Sequence, residues 1–232
     1  MFRSRSRRGY PVRYYLYVSD SKLDMLFDQI DLSVRKRINA EVKVDLRVAS
    51  LTLRGADNPN PTRAAKLQIV ERFIDTHCNV GTVEEPGLEY FRGQMDMQWG
   101  RIDPDAVWFQ GNDYEHLQCV GLGGSGHHVL GAKPPEVYTS QSDLPAIMEI
   151  LYDQYSFHSA TALQEHVVAG DLPWHWDMFV DWKGDEAFLG FPQQRLEFLA
   201  LPFKEIIAGM PDRHSVHVVI GTPLYVARAR DF

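Results

Sequence analysis

Residues 118–131, QCVGLGGSGHHVLG, restrict the fold of this chain more than any other stretch. Gly121, Gly123, Gly124 and Gly126 surround Leu122 and Ser125, directly after a run, His116 to Val120, that reads as a strand. Four glycines in six residues permit positive φ and let another group come close to the backbone. Two structures use such a segment. One is a loop whose N–H groups cradle an anion; the other is a strand, bulge and turn against which a neighbouring segment packs. The spacing is near that of a dinucleotide fingerprint, but that fingerprint needs a helix to open on its last glycine. Lys133-Pro134-Pro135 follows instead, and no helix runs through those prolines. A Gly-Lys-Ser/Thr ending is absent as well, so the segment is not a P-loop.

In the anion-cradling reading, Gly123 and Gly124 supply the backbone, Ser125 donates, and Arg92 from a neighbouring strand neutralises the charge. His127 and His128 invite a general-base or metal role. An extended segment sends adjacent side chains to opposite faces, so only one of them serves a given site. His128 shares its face with Gly126 and Gly124 and is the better candidate for a base. A histidine hydrogen-bonded to backbone is the plainer alternative. His175 and Asp177 share a face if WHWD is extended, and with His128 they would make three zinc ligands. That spacing matches no standard zinc motif, so no metal is expected, and no cofactor motif is present. Trp174, Trp176 and Trp182 cluster strongly; Trp176 is a candidate to stack a ligand ring, or else core. For nucleophilic catalysis, Gly124-Ser125-Gly126 lacks the spacing and the following helix of a nucleophile elbow.

Along the chain, Arg13 to Ser19 reads as a strand, and Leu23, Leu26, Phe27 and Ile30 as the apolar stripe of a helix capped near Ser21 with Asp24 in place. Leu32 to Ala40 suits a short basic helix. Val42, Val44, Leu46 and Val48 alternate, which predicts a half-buried strand from Val42 to Leu53. Thr62 to Cys78 reads as an amphipathic helix with Leu67, Val70, Phe73, Ile74 and His77 inward. Glu89 to Trp99 alternates Phe91, Met95, Met97 and Trp99 against Arg92, Gln94, Asp96 and Gln98, a strand with one wet face carrying the Arg92–Asp96 pair. Ala106 to Gln110 is a central strand, joined by a turn to the glycine-rich segment as an antiparallel pair. Helices are expected near Ser142–Tyr155 and Ser159–Ala169, and a long one from Gln193 to Ala208, kinked at Pro202 with Leu196, Leu199, Phe203, Ile206 and Ile207 buried. Val216 to Ala227 is a strand interrupted at Gly221-Thr222-Pro223.

The 232 residues, 44% hydrophobic, suffice for an ordinary core without staples. Arg3, Arg5, Arg7 and Arg8 sit in the first eight residues; without those four, 20 basic residues face 31 acidic ones. So acidic a body argues against general nucleic-acid binding, which phosphate neutralisation drives. Residues 1–11 are expected to be a disordered basic leader. Cys78 and Cys119 form no paired motif, which points to a reducing compartment and a cytoplasmic protein. No apolar run approaches the roughly 20 residues of a membrane span.

Four pieces also carry a family likeness: RYYLYVSDSKLDMLFDQI at 13–30, EYFRGQMDMQWG at 89–100, VGLGGSGHHVLG at 120–131 and VVIGTPLYVA at 218–227. Together they resemble an uncharacterised bacterial family of unknown function. Its members open with a YYLYVSD-type strand, carry a GGS-x-x-H-V-x-G segment and close on G-S/T-P-L-Y-V-A. The likeness implies a shared fold from residue 13 onward and an association with multi-gene bacterial conflict or signalling systems. It implies no catalytic residue.

These readings converge on one α+β domain over residues 12–232, with a mixed, largely antiparallel sheet flanked by helices. The expected role is a cytoplasmic regulatory module that binds a small anionic ligand or a partner protein. Its expected ligand contacts are Arg92, Gly123, Gly124, Ser125, His128 and Trp176. The alternatives are an enzyme acting on a phosphate- or nucleotide-bearing substrate, with His128 as base, and a structural subunit with the 174–182 aromatics as its contact patch.

Overall fold

In the computed structural model, residues 13–47, 61–103, 105–113, 115–131, 147, 193–209 and 215–229 are described. Contacts divide the chain into two units, one of Met1–Tyr14 with Asp20–Asn79 and one of Tyr15–Ser19 with Val80–Phe232.

The described residues of the first unit hold three helices, α1 (Asp20–Gln29), α2 (Leu32–Arg47) and α3 (Arg63–His77). Thr62 caps α3, its hydroxyl accepting the Ala65 N–H, and Cys78 N–H closes the other end on Ile74 O at 3.0 Å. Leu67, Ile69, Val70 and Ile74 are the buried stripe of α3, and Leu23 and Phe27 that of α1. Asp20 and Asp24 on α1 pair with Arg63 and Lys66 on α3, so Asp24 serves the helix pair instead of a capping box. Arg13 adds a forked ion pair to Glu71, at 2.6 and 2.8 Å. Two details differ from the sequence reading. His77 points to solvent, stacked on Phe73 at 4.6 Å. Residues 42–47, expected as a strand, continue α2, because Leu32 to Arg47 contains no Gly or Pro and is rich in helix formers.

The described residues of the second unit form a sheet of seven strands: β1 (Tyr15–Val18), β2 (Val80–Gly81), β3 (Tyr90–Asp103), β4 (Ala106–Asp113), β5 (Gln118–Ser125), β6 (Gln194–Gly209) and β7 (Ser215–Arg228). Pairing is antiparallel except for β2 with β3 and β5 with β7. The sheet is therefore mixed and largely antiparallel. It also closes on itself, since β3, β4, β5, β7 and β6 form a ring in which β6 returns to β3. Register places Phe91, Met95, Met97, Val107, Phe109, Val120, Leu122, Val219, Phe198 and Leu196 on one side, and all are buried inside the barrel. Five strands enclose only enough space for side chains.

Gln194 to Gly209 is a strand, not the expected long helix. Leu196, Phe198 and Ala200 face the interior while Leu199 is equally buried on the other side. Burial on both faces removes the period-2 signal and leaves spacings that imitate a helix. Pro202 is tolerated at a register shift before Lys204, where Phe203 is the extra residue of a bulge. β7 likewise runs unbroken through Gly221-Thr222-Pro223, with a second shift opposite Leu199 and Ala200. Of the helices expected in residues 142–169, only Ile147, helical and buried, falls among the described residues.

Candidate functional site

The glycine-rich segment is the wall of the barrel. β5 is in register with β4 from Gln118 to Ser125, and with β7 from Gln118 to Leu122. Successive N–H groups of an extended strand point in opposite directions, so those of Gly121, Gly123 and Gly124 do not converge on an anion. At Gly121 and Gly124, aromatic rings occupy the place of the missing side chain. A Cβ on Gly121 would lie 2.6 Å from Trp108 Cη2, and one on Gly124 would lie 2.8 Å from Tyr17 Cζ. Tyr17 is wholly buried, edge-on to Phe109 at 5.9 Å, while the indole N–H of Trp108 donates to Gln110 Oε1 at 3.1 Å in the buried layer outside the barrel. Gly93 and Gly221 repeat the device against Phe198 and Phe91, each 2.7 Å from the absent Cβ.

Past Ser125 the chain leaves β5 in a short 3₁₀ turn, Gly126–His128. Here the polar groups gather at the barrel rim. Gly126 N–H donates to Asp105 O at 2.7 Å, Arg101 Nη2 donates to Gly126 O at 3.3 Å, and Ser125 Oγ accepts the His127 N–H at 3.4 Å. His127 Nε2 lies 3.4 Å from Oδ1 of the buried Asp105 carboxylate. His128 is edge-on to Tyr17 at 5.9 Å, and Leu130 N–H continues to Leu16 O at 2.8 Å. Ser125 thus caps the turn, and His127 and Asp105 clasp it to the β3–β4 corner. Arg92 is elsewhere: it sits on the outward side of β3 in the half paired with β6, in register with Leu199, whereas Ser125 pairs with Ala106 and so neighbours Asp103. Arg92, Ser125 and His128 do not form one cradle. Trp176, His175 and Asp177 lie outside the described residues, and among those described no three potential ligands surround a metal position.

Two further features complete the polar surface. The β4–β5 turn is held by Asp113, whose carboxylate accepts the backbone N–H groups of Glu115 and His116 and meets the His116 ring at 3.0 Å. Those bonds hold Asp113 below the usual carboxylate range, and the Asp113 carboxylate raises His116. Glu84 is lowered in turn by the Thr82 hydroxyl. Cys119 offers no reactivity, since burial pushes its thiol up to about 12.

The second feature is the outer half of β6. β3 covers one edge of β6 only from Gln194 to Ala200, and beyond that no described strand takes its place. Lys204 to Gly209 stay in regular register with Ile220 to Ser215 of β7, which pairs the other edge. Phe203 is 52% exposed and Ile207 74% exposed, with Lys204 and Glu205 between them also at the surface. Glu205 Oε1 lies 2.7 Å from His217 Nε2, its diagonal neighbour on β7. The sequence reading buried Phe203 and Ile207 in a helix. Pro202 in mid-segment and the β-branched Ile206-Ile207 were the signals for a strand there.

Among the described residues, a small closed barrel with a filled interior and a unit of three helices define the class of protein. The chain belongs to a family of unknown function, DUF7019, which matches residues 13–230. No curated protein matches it. No solved structure matches it either. No helix among the described residues is long and apolar enough to cross a membrane.

Proposed function

We propose that this protein is a regulatory binding module that engages a partner protein through the outer half of β6, and that it has no reaction of its own. The observation that carries this is the edge of β6 beyond Ala200, which no described strand pairs, with Phe203 and Ile207 exposed along it. Single exposed apolar residues are ordinary on protein surfaces. Two of them beside a strand edge that no described strand pairs are a combination that folded proteins usually avoid or cover, and that strand-adding partners use. The filled barrel supports a surface role over a ligand chamber, and the extended glycine segment supports packing over anion capture. Cys78 and Cys119, which form no disulfide, suit a reducing cytoplasm. A role of this kind suits the bacterial conflict or signalling systems with which the resemblance associates such proteins.

The test is site-specific photo-crosslinking in the producing cell, with the photoreactive residue at position 207 and, as control, at the exposed Gln94 on the outward side of β3. The expected result is a discrete heterologous adduct at 207, absent at 94 and lost when Phe203→Asp is added. Equal adducts at the two positions would overturn the reading.

A further inference from the structure

Two loops meet at one end of the barrel. Gly111 near the end of β4 faces Met97 and packs on Met95, so the β4–β5 turn that follows lies beside the start of β3. The β2–β3 loop, residues 82–89, lies at the same end, because β2 runs parallel to β3 with Gly81 beside Phe91. The loop closes on itself: Thr82 N–H donates to Glu85 O at 3.0 Å, and Glu85 N–H donates to the Thr82 hydroxyl at 3.2 Å. Its anchor is Val83, buried in the barrel core in the space above Gly93 that it shares with the Phe198 ring. Glu84, Glu85 and Leu88 stay at the surface. We infer that this loop is a proton-controlled strap: a cationic His116 on the β4–β5 turn holds Glu84, and with it Val83, over the barrel end, and loss of that proton loosens the loop.

The turn that carries His116 is fixed on several sides. Asp113 accepts the N–H groups of Glu115 and His116, Leu117 is held at φ 53°, and its carbonyl accepts the His217 N–H of β7 at 2.8 Å. A residue held in so sparse a conformation is over-determined by its surroundings, so the turn keeps its place when a charge on it changes. The His116 ring lies 3.0 Å from the Asp113 carboxylate, and Glu115 beside it and Glu84 of the loop add negative charge around it. The Thr82 hydroxyl bonds the Glu84 carboxylate and aims it. Asp113 and Glu84 are held below the usual carboxylate range, Asp113 first by the His116 N–H and Glu84 first by that hydroxyl, so both stay ionised at neutral pH. His116 is raised, first by its bond to Asp113, so it is cationic below about 6.5 and turns neutral as pH rises through its folded value. Above that value Glu84 faces Asp113, whose charge opposes its own, with no cation between them. Burial of Val83 still seats the loop, so the proton sets how often the strap opens rather than whether the barrel folds.

The experiment is amide exchange of the full chain measured by NMR magnetisation transfer, read as protection factors so that the intrinsic pH dependence of exchange is removed. Between pH about 6 and pH about 8.5, on either side of a raised histidine, protection of the Thr82 and Glu85 amides should fall. The fall should be about two- to fivefold, the range of exposed charge pairs. Val120 and Leu122 in β5 should not change. His116→Gln should hold the loop at its weakly protected level at both pH values, and Glu84→Gln should also remove the dependence. Spectra of both variants away from the two loops must match the parent. Equal protection of the parent loop at both pH values would overturn the inference. So would a dependence that survives either substitution, or a fall shared equally by Val120 and Leu122, which reports the stability of the whole barrel instead of a strap.

Discussion

Replacing Gly124 by alanine adds one methyl group at a position where the fold has already placed a ring. The new Cβ would stand 2.8 Å from Tyr17 Cζ, nearer than real Cβ contacts come, and the hydroxyl oxygen is closer still. Tyr17 has little room to retreat: it is wholly buried, packs edge-on against Phe109 and His128, and is tied by its backbone to Val226 and Val129. Overpacking of this kind costs about 1–3 kcal/mol, and a pinned neighbour puts this site near about 3 kcal/mol. For a chain of this size that is a fall in Tm of roughly 6–12 °C. Urea unfolding should show a lower midpoint with an unchanged m-value, since the surface exposed on unfolding is the same. Tyr17→Phe removes the nearest atom, so the Gly124→Ala/Tyr17→Phe pair should recover about 1 kcal/mol relative to the sum of the single changes. A neutral Gly124→Ala, or strictly additive losses, would refute the idea that the glycine is there for the tyrosine.

The β4–β5 turn gives a pH prediction and a backbone prediction. His116 is raised by Asp113, so its contribution is complete below about 6.5, its unfolded value, and fades as pH rises through the folded one; Asp113 is lowered, so its contribution is complete above about 3.9 and fades as pH falls. NMR titration should therefore find the His116 ring titrating above its ordinary value and returning toward it in Asp113→Asn, and no movement would contradict the pairing. Leu117 adopts φ 53°, a left-handed conformation that costs a side-chain-bearing residue about 1–2 kcal/mol. Leu117→Val should lower stability by about 1 kcal/mol in thermal unfolding while Leu117→Gly does not, and the opposite order would show that the turn is not so constrained.

Much of the barrel is legible in the residues. β3 announces itself by alternation, with Phe91, Met95 and Met97 inside and Gln94 and Asp96 wet, and β4 and β5 by a continuous apolar run and a turn. α3 carries both its cap and its stripe. What is not legible is closure, because it depends on β6. Leu196, Leu199 and Phe203 stand at helical spacing only because both sides of that strand are covered, one by the barrel interior and one outside it. The alternation of Val42, Val44 and Leu46 misleads in the opposite direction, where the preceding segment with Leu32, Arg35, Lys36, Arg37, Ala40 and Glu41 propagates α2 onward. The site suffers from the same ambiguity. Gly124, Ser125 and His128 read equally as cradle or wall from composition, and the deciding fact is Tyr17, more than a hundred residues earlier in the chain.

Hydrogen–deuterium exchange of the intact protein addresses the division between wall and open edge in one measurement. Amides from Val120 to Gly124 should be among the slowest to exchange, unchanged by added phosphate or nucleotide. From Lys204 to Gly209, the alternate amides that point away from β7, toward the edge no described strand pairs, should exchange quickly, and slow when a strand-forming partner is bound. Fast exchange along β5 that phosphate or nucleotide suppresses, with Lys204–Gly209 uniformly protected in the protein alone, would contradict the account.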